Sequence, residues 1–339
     1  MASLTLTPAR MIVLPVVVVL LAGACGASDE EPDVADAVTV RYSFDWSPDS
    51  DWAPVLWADE LGYFDEEGID VDYVAGDPQL IELLGANEID IAQVPGPQAV
   101  LAFAEGLPIT VVGVQLPESP LVLLADADAG VVEPGDIEGH SVAVQVGEFE
   151  GFVWEAWAAA NGIDRSNVDE VPAGGAADVL FIDHQVDVFM DFYTSGAMVE
   201  LTDGREGEES LFLVSDTLDM VGQSQVVHQA FLDEHPGAVA GFLDAWARGA
   251  KYALEHPDET IDLVLETFPE LDRPGVEWSF ARFSEFWTGE QFTTDGFLSF
   301  TPEMWESTEE VLLNADLIDD IAVDELYTDE FLPDPPVLP

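Results

Sequence analysis

Residues 38–74 read VTVRYSFDWSPDSDWAPVLWADELGYFDEEGIDVDYV, and the fold class can be predicted from their order of patterns. β-Branched and aromatic residues alternate over 38–44, which predicts a strand. Turn-forming residues follow over 45–52, and apolar residues at helical spacing predict a helix over 53–64. A second β-rich segment occupies 69–74. A strand, a helix and a strand in this order predict a right-handed crossover between parallel strands.

The same rhythm continues along the chain and then restarts. Strands are predicted at 89–92 and 109–115, then at 120–125, 141–146, 186–192 and 211–214, with helices between them; from 229 onward the pattern is helical. About 300 residues exceed what one core usually serves. We therefore predict an α/β fold of two Rossmann-like lobes with mixed, mostly parallel sheets and a two-segment hinge. Residues 38–116 and 226–339 form the first lobe, which ends in a helical C-terminal region, and 117–225 form the second.

The N-terminus has the pattern of an export signal. Residues 1–24 contain one cation, Arg10, and a short apolar run, and they end in Leu-Ala-Gly-Ala before Cys25. This pattern predicts a signal peptide, and the ending resembles a bacterial lipobox with Cys25 as the lipidated residue. Residues 25–37 are small and acidic and predict a tether. A plain signal peptide with an incidental cysteine is the alternative.

The charge is extreme. The chain has 69 acidic and 8 basic residues, a net charge of −61, yet 48% of its residues are hydrophobic. That apolar share predicts a folded core under a carboxylate surface, and self-repulsion at low salt predicts a halophilic protein and a monomer. Nucleic acid is excluded as a partner because phosphate contacts need Lys and Arg.

Ligands of open α/β sheets bind beyond the carboxyl ends of the strands. With two such lobes, this rule predicts a site between them. The candidate ligand-binding residues stand at strand ends: Asp45, Trp46, Trp52, Gln93, Pro95, Gln115, Gly147, Glu148, Phe149, Asp191 and Tyr193.

These candidates supply aromatic rings, carboxylates, amides and, near Gly147, a helix N-terminus. None is a lysine, and the arginines are placed elsewhere, with Arg41 in mid-strand and Arg165, Arg205 and Arg273 in loops or at helix edges. Acids around the mouth oppose an anion. A neutral or cationic, flat, nitrogen-containing ligand is favoured, because aromatic faces attract cations.

Each candidate also has a structural alternative. Asp45 is also suited to capping the turn that follows it, Trp46 and Trp52 to packing, and Glu148 to solvent. Other aromatic residues are predicted to pack in the core: Trp57, Trp154, Trp246, Trp287, Phe292 and Trp305. The five histidines show no metal-ligand spacing, and no catalytic or phosphate-binding motif is present, so neither an enzyme, a metal site nor a cofactor is predicted.

Three segments carry a family resemblance. Residues 44–71, the segment Gly85-Ala-Asn-Glu-Ile-Asp-Ile-Ala, and residues 231–249 are similar to solute-binding proteins of ABC importers with the type II periplasmic-binding-protein fold. The branch serves thiamine-pyrimidine, riboflavin, sulfonate, nitrate and taurine importers. Asp45-Trp46 followed by Pro48 looks most like the thiamine-pyrimidine receptors, although Asp49 and Trp52 stand where those have an Asn and a His nearby.

This resemblance implies an extracytoplasmic receptor, lipid-anchored on the outer face of the membrane, that delivers its ligand to a permease and its ATPase. A thiamine pyrimidine precursor is the leading ligand; riboflavin, a quaternary-ammonium osmolyte, a sulfonate and nitrate remain open. A pyrimidine-forming fungal enzyme shares the fold, but its cysteine-rich motif is absent here, since Cys25 is the only cysteine.

Overall fold

The computed structural model describes residues 37–45, 48–74, 76, 79–126, 128–146, 149–201 and 210–339. The predicted signal peptide, Cys25 and nearly all of the tether lie outside these residues, as do Trp46, Gly147 and Glu148. Within the described residues the strands form two sheets of five strands each.

The first sheet has the strand order β2-β1-β3-β10-β4. Strand β1 pairs in parallel with β2 and β3, whereas β10 runs antiparallel to both β3 and β4. Its strands are β1 (Val38–Ser43), β2 (Ile69–Val74), β3 (Ile91–Pro95), β4 (Ile109–Leu116) and β10 (Gln223–His228).

The second sheet repeats this plan with the order β7-β6-β8-β5-β9. Strand β6 pairs in parallel with β7 and β8, and β5 is the reversed strand between β8 and β9. Its strands are β5 (Leu121–Ala125), β6 (Ser141–Val144), β7 (Asp169–Pro172), β8 (Val188–Phe192) and β9 (Ser210–Leu213). In each sheet four strands share one direction, as the mostly parallel prediction requires.

Helices cover the sheets and form the C-terminal region. Those before the second sheet are α1 (Ala53–Glu60), α2 (Tyr63–Glu66), α3 (Leu80–Gly85) and α4 (Gly96–Ala104). Those among its strands are α5 (Phe149–Ala160), α6 (Ala177–Ile182) and α7 (Met198–Leu201). The last group is α8 (Gln229–Glu234), α9 (Pro236–Glu255), α10 (Pro257–Thr267), α11 (Arg273–Trp287), α12 (Glu290–Asp295) and α13 (Pro302–Asn314).

Helices α1 and α9 pack with their backbones in close contact. A Cβ atom built on Gly249 of α9 would lie 1.9 Å from the carbonyl oxygen of Pro54 in α1. Any side chain at this position would force the helices apart, because core packing leaves no room for it. Gly249 therefore allows α1 to pack directly against α9.

Two strands were not predicted, and each has a physical explanation. Strand β7 is largely exposed at a sheet edge and contains Pro172, so it lacks the apolar run that predicts a strand. Strand β10 carries Gln223, Ser224 and Gln225, and this polar start concealed a buried strand. Because β10 begins at Gln223, the chain re-enters the first sheet three residues before the predicted lobe boundary at 225/226.

Candidate functional site

Glutamine side chains line the carboxyl-terminal edge of the first sheet. Gln93 lies in the middle of β3 and Gln115 next to the end of β4, while Gln223 and Gln225 lie in the first half of the antiparallel β10, so all of them stand toward the same edge. All are buried. Gln225 Nε2 donates to Gln115 Oε1 at 3.0 Å. Gln223 and Gln225 escaped the sequence analysis; the polar residues at positions i and i+2 before Val226 were the available signal.

Aspartates of the loop after β1 meet these amides. Gln93 Nε2 donates to Asp51 Oδ2 at 3.1 Å, and Gln223 Nε2 donates to Asp45 Oδ2 at 3.0 Å. The structure thus places the predicted residues Asp45 and Gln93 in one polar cluster, and it adds Asp51 and Gln223. Pro95, which is also predicted, is buried at the end of β3 beside Gln223.

The carboxyl of Asp51 is fully enclosed. Burial raises its pKa well above the ordinary value, the nearby charges of Asp45 and Asp49 raise it further, and the hydrogen bond from Gln93 lowers it. Burial likewise raises the pKa of Asp49, against the lowering effect of hydrogen bonds from the Gly196 and Ser50 backbone N–H groups. Such raised carboxyl pKa values show that the loop places both carboxyls in a poorly solvated region, where their neutral forms are favoured.

Some atoms of this cluster lack a partner. Among the described residues, none donates a hydrogen bond to Asp51 Oδ1, Gln93 Oε1 or Gln223 Oε1, although each of these atoms is buried. A buried acceptor without a donor costs about 1–3 kcal/mol, so native proteins retain few of them. The unpaired acceptors of this cluster lie together near strand ends, so a ligand that donates hydrogen bonds would satisfy them.

Tyr193, two residues past Asp191, brings an aromatic ring from the second sheet to helix α11. Trp278 Nε1 donates to the Tyr193 carbonyl at 2.9 Å, and the two rings meet edge to face at 5.8 Å. The guanidinium of Arg282 lies over both rings, 5.1 Å from the Tyr193 centroid and 4.7 Å from that of Trp278. Placing the arginines away from the candidate residues was therefore wrong for Arg282, because its partner Tyr193 is 89 residues away in the chain.

Asp191 stands at the end of β8 with little solvent around it. Burial raises its pKa to about 7, while the Phe192 N–H, 2.8 Å from Oδ1, lowers it and the charges of Glu150 and Asp178 raise it. A carboxyl with a pKa in this range changes charge under physiological conditions. Asp191 therefore offers either a donor or an acceptor at the edge of the second sheet.

Trp52 and Phe149 lie in apolar surroundings. The Trp52 ring is 6% exposed and stacks on Phe44 with 3.7 Å between centroids, and Phe268 meets its edge. Phe149 is the first residue of α5. It borders a small apolar cavity between the half of the chain built around the first sheet and the half built around the second. The other lining residues are Pro97, Leu101, Phe152, Val153, Ala156, Met220, Val311, Leu312, Ala315 and Leu317. Their direct role in ligand binding stays a prediction.

The aromatic residues that we predicted to pack are in the core. Trp154, Trp246, Trp287, Phe292 and Trp305 are at most 2% exposed, and Trp57, at 7%, donates from Nε1 to Thr260 Oγ1 at 2.8 Å.

Within the described ranges, no group of three or more His, Cys, Asp or Glu side chains is arranged to hold a metal ion. No helix of that same part of the chain combines the length and apolar character needed to cross a membrane.

Two mixed α/β sheets with a polar cluster at the strand ends define a periplasmic-binding-protein fold. The solved structure of the Candida albicans CA3427 gene product, described as having the generic periplasmic binding protein fold, matches with a TM-score of 0.64 at 17% identity. The match covers 88% of this chain and 97% of that one. The chain belongs to the NMT1/THI5-like family, whose characteristic sequence it matches over residues 49–260.

Relatives of known description include both binding proteins and enzymes. A 4-amino-5-hydroxymethyl-2-methylpyrimidine phosphate synthase of Legionella pneumophila is 28% identical, over 88% of this chain and 93% of its own. The riboflavin-binding protein RibY of Chloroflexus aurantiacus is 25% identical, over 96% and 98%. A formylaminopyrimidine-binding protein of Halalkalibacterium halodurans is 25% identical, over 76% and 79%.

Proposed function

We propose that this chain is the solute-binding lipoprotein of an ABC importer and that it binds a small heteroaromatic of the thiamine-pyrimidine class between its two sheets. The observation that carries the proposal is the cluster of Asp45, Asp51, Gln93 and Gln223, of which the last three are buried and whose polar atoms gather where the first-sheet strands end. Ligands of such sheets bind at that edge.

The chemistry of the surroundings favours a flat, nitrogen-containing ligand. Tyr193 and Trp278 supply aromatic surface, and Asp191 supplies a carboxyl from the second sheet. Amino groups and ring nitrogens of a pyrimidine pair with amides and carboxylates. The pyrimidine-related names of two relatives support this class, and RibY supports riboflavin as the alternative ligand.

The proposed site combines the predicted residues with those that the fold brings to them. It includes Asp45, Gln93, Pro95, Gln115, Asp191 and Tyr193, to which we add Asp51, Gln223 and Trp278. Trp46, Gly147 and Glu148 remain proposed from the sequence alone. The proposed lobes are 38–116 with 226–339, and 117–225, and closure of these lobes on the ligand would present both to a permease.

We further propose that the protein works outside the membrane as a lipid-anchored monomer. Cys25 would carry the anchor, since two or more acyl chains hold a soluble domain firmly at a membrane. Expression of full-length wild type and a C25A variant in a lipoprotein-processing host tests the anchor: wild type should sediment with membranes and the variant should not.

Mass spectrometry of ligand released from the purified protein tests the binding function. Calorimetry at molar salt should then show binding of an aminopyrimidine or formylaminopyrimidine, in preference to riboflavin, a quaternary-ammonium osmolyte, a sulfonate and nitrate. Absence of heat with every pyrimidine would refute the proposed ligand class. Heat with riboflavin alone would preserve the receptor role and change the ligand.

The Legionella relative makes a pyrimidine-forming enzyme the second candidate. A receptor returns its ligand unchanged, whereas an enzyme forms a product. Incubation of the pure protein with the bound compound, followed by mass spectrometry of the small molecules, separates the two. Recovery of any new pyrimidine phosphate would favour the enzyme.

A further inference from the structure

The buried oxygen atoms of the cluster define the hydrogen bonds that its ligand must make. We call Asp45, Asp51, Gln93 and Gln223 the acceptor cluster. Gln93 is 0%, Gln223 5% and Asp51 7% exposed, so water does not satisfy their atoms freely. The unpaired atoms are Asp51 Oδ1, Gln93 Oε1 and Gln223 Oε1.

The orientation of the two amides follows from their partners. Each carboxyl oxygen accepts from an amide NH₂ group, so Gln93 turns its NH₂ group toward Asp51 and Gln223 turns its NH₂ group toward Asp45. Reversing either amide would place oxygen against oxygen. The carbonyl oxygen of each amide is therefore the atom left over. A bound cation favours the ionised form of Asp51, and in that form every unpaired atom of the cluster is an acceptor.

We infer that the acceptor cluster binds a planar cation that carries at least two N–H donors, such as an aminopyrimidinium or another amidinium group. This inference rests on the proposed function and narrows its ligand class. Two adjacent N–H groups on one rigid plane match neighbouring acceptors, as in bidentate recognition of carboxylates. A positive charge also compensates the negative charges that Asp45 and Asp49 place around Asp51.

The electrostatic surroundings discriminate strongly between ligand charges. At 4 Å and an intermediate dielectric, the interaction between a ligand charge and one aspartate charge is worth about 4 kcal/mol. It is favourable for a cationic ligand and unfavourable for an anionic one. A sulfonate or nitrate would add a negative charge and further acceptors to a set that already lacks donors. An uncharged ring without an amino group would leave the three oxygens unpaired.

Ligand entry requires the cluster to be uncovered. The loop that supplies Asp51 is joined to the second-sheet half by Asp49, whose Oδ2 accepts from the Gly196 N–H at 3.0 Å. On the same side, Trp278 holds the carbonyl of Tyr193. Separation of the two halves breaks these contacts, and their return closes the site over the bound cation.

A matched ligand pair tests this inference. 4-Amino-2-methylpyrimidine and 2,4-dimethylpyrimidine have nearly the same shape, but only the first donates hydrogen bonds and readily takes up a proton. Calorimetry at molar salt and mildly acidic pH should give an affinity about 100-fold higher for the amino compound, the scale of one or two charged hydrogen bonds.

Variants then assign the preference to the cluster. Asp51→Asn removes a carboxyl that can ionise beside a bound cation, and Gln93→Met removes an amide; each should reduce the amino-over-methyl ratio about tenfold or more. Asp187→Asn is the matched control, because Asp187 accepts from Ser141 beside the amino end of β8 and should leave the ratio unchanged. Two variants of different chemistry keep the test valid if one fails to fold, which circular dichroism would reveal.

The outcomes separate this inference from the function on which it rests. If neither ring nor any other pyrimidine binds, the proposed function fails. If both rings bind with equal affinity, or if the variants lower stability without changing the ratio, the function survives and the cluster is only a structural network. A lost preference in both variants supports the inference.

Discussion

Asp49 Oδ2 accepts a hydrogen bond from the backbone N–H of Gly196 at 3.0 Å, across 147 residues of sequence. The other carboxylate oxygen accepts from the Ser50 N–H at 2.8 Å and caps the short helix Ser50–Trp52. One side chain thus shapes the loop after β1 and ties it to the loop after β8. This relationship connects the local structure of the candidate site to the closure of the two halves.

Asp49→Ala should therefore favour the open arrangement. Loss of a hydrogen bond to a carboxyl is worth about 1–2 kcal/mol, so ligand dissociation should accelerate roughly tenfold. Stopped-flow fluorescence measures the dissociation rate, and small-angle scattering of the ligand-free protein should show a larger radius of gyration.

Asp164→Ala provides the matched control for Asp49. Asp164 also caps a short helix, Arg165–Asn167, by accepting from the Ser166 N–H at 3.1 Å, but it is exposed. It should leave both measurements unchanged. Equal dissociation rates for wild type and Asp49→Ala would contradict a role of Asp49 in closure.

Asp191 should make stability depend on pH. Its pKa is about 7 in the folded protein and near 3.8 when unfolded, so the folded state holds the extra proton between these values. This contribution is complete below pH 4 and disappears as the pH rises through 7. Asp191→Asn cannot ionise and should gain stability relative to wild type, by up to about 4 kcal/mol from pH 4 to pH 8.

Chemical denaturation at several pH values and constant molar salt measures this difference. The free energy of unfolding of Asp191→Leu should depend on pH in the same way as that of Asp191→Asn, because both lack the ionising group. The two variants should differ only by a constant difference in stability. Parallel profiles of wild type and Asp191→Asn would mean that Asp191 does not lose a proton in this range.

Gly249→Ala should destabilise the first-sheet half by about 3 kcal/mol or more. The new methyl group would lie 1.9 Å from the Pro54 carbonyl oxygen, and overpacked cores relax only at a cost. Gly237→Ala, in the same helix with no atom within 4 Å, should instead gain about 0.5–1 kcal/mol from helix propensity. Thermal unfolding of both variants checks the contrast; equal effects would show that α1 and α9 do not pack tightly at this point.

The surface charge should make stability depend on salt. A net charge of −61 repels itself over about 10 Å at 0.1 M salt but over only about 3 Å at 1 M. We expect the melting temperature to rise by about 10 °C or more between 0.1 M and 3 M KCl. Sucrose raises stability without screening charge and should produce a smaller rise. A melting temperature independent of salt would remove the halophilic interpretation.

Much of the fold was predictable from local patterns. Apolar runs such as 109–115 and 120–125 become the fully buried strands β4 and β5, and the helical spacing over 237–255 becomes α9. These features could be predicted because the burial of one face of a helix or strand gives its apolar residues a regular spacing in the sequence.

The candidate site was predictable only in part. Strand ends indicated Asp45, Gln93 and Asp191, because a parallel sheet gathers those ends whatever the side chains are. Gln223 and Arg282 were missed: their roles depend on a reversed strand and on the approach of α11 to Tyr193, which no nearby residue encodes.

The amino-acid sequence alone indicates the α/β class, the strongly negative net charge and most of the strand positions, since each follows from composition or from the short-range periodicity of apolar residues. The tertiary structure alone decided that β10 runs antiparallel between β3 and β4, that Asp51 and Gln223 join one buried cluster, and that Asp49 reaches Gly196. The reason is physical: these contacts join residues far apart in the chain, and their energies exist only after the intervening segments have packed.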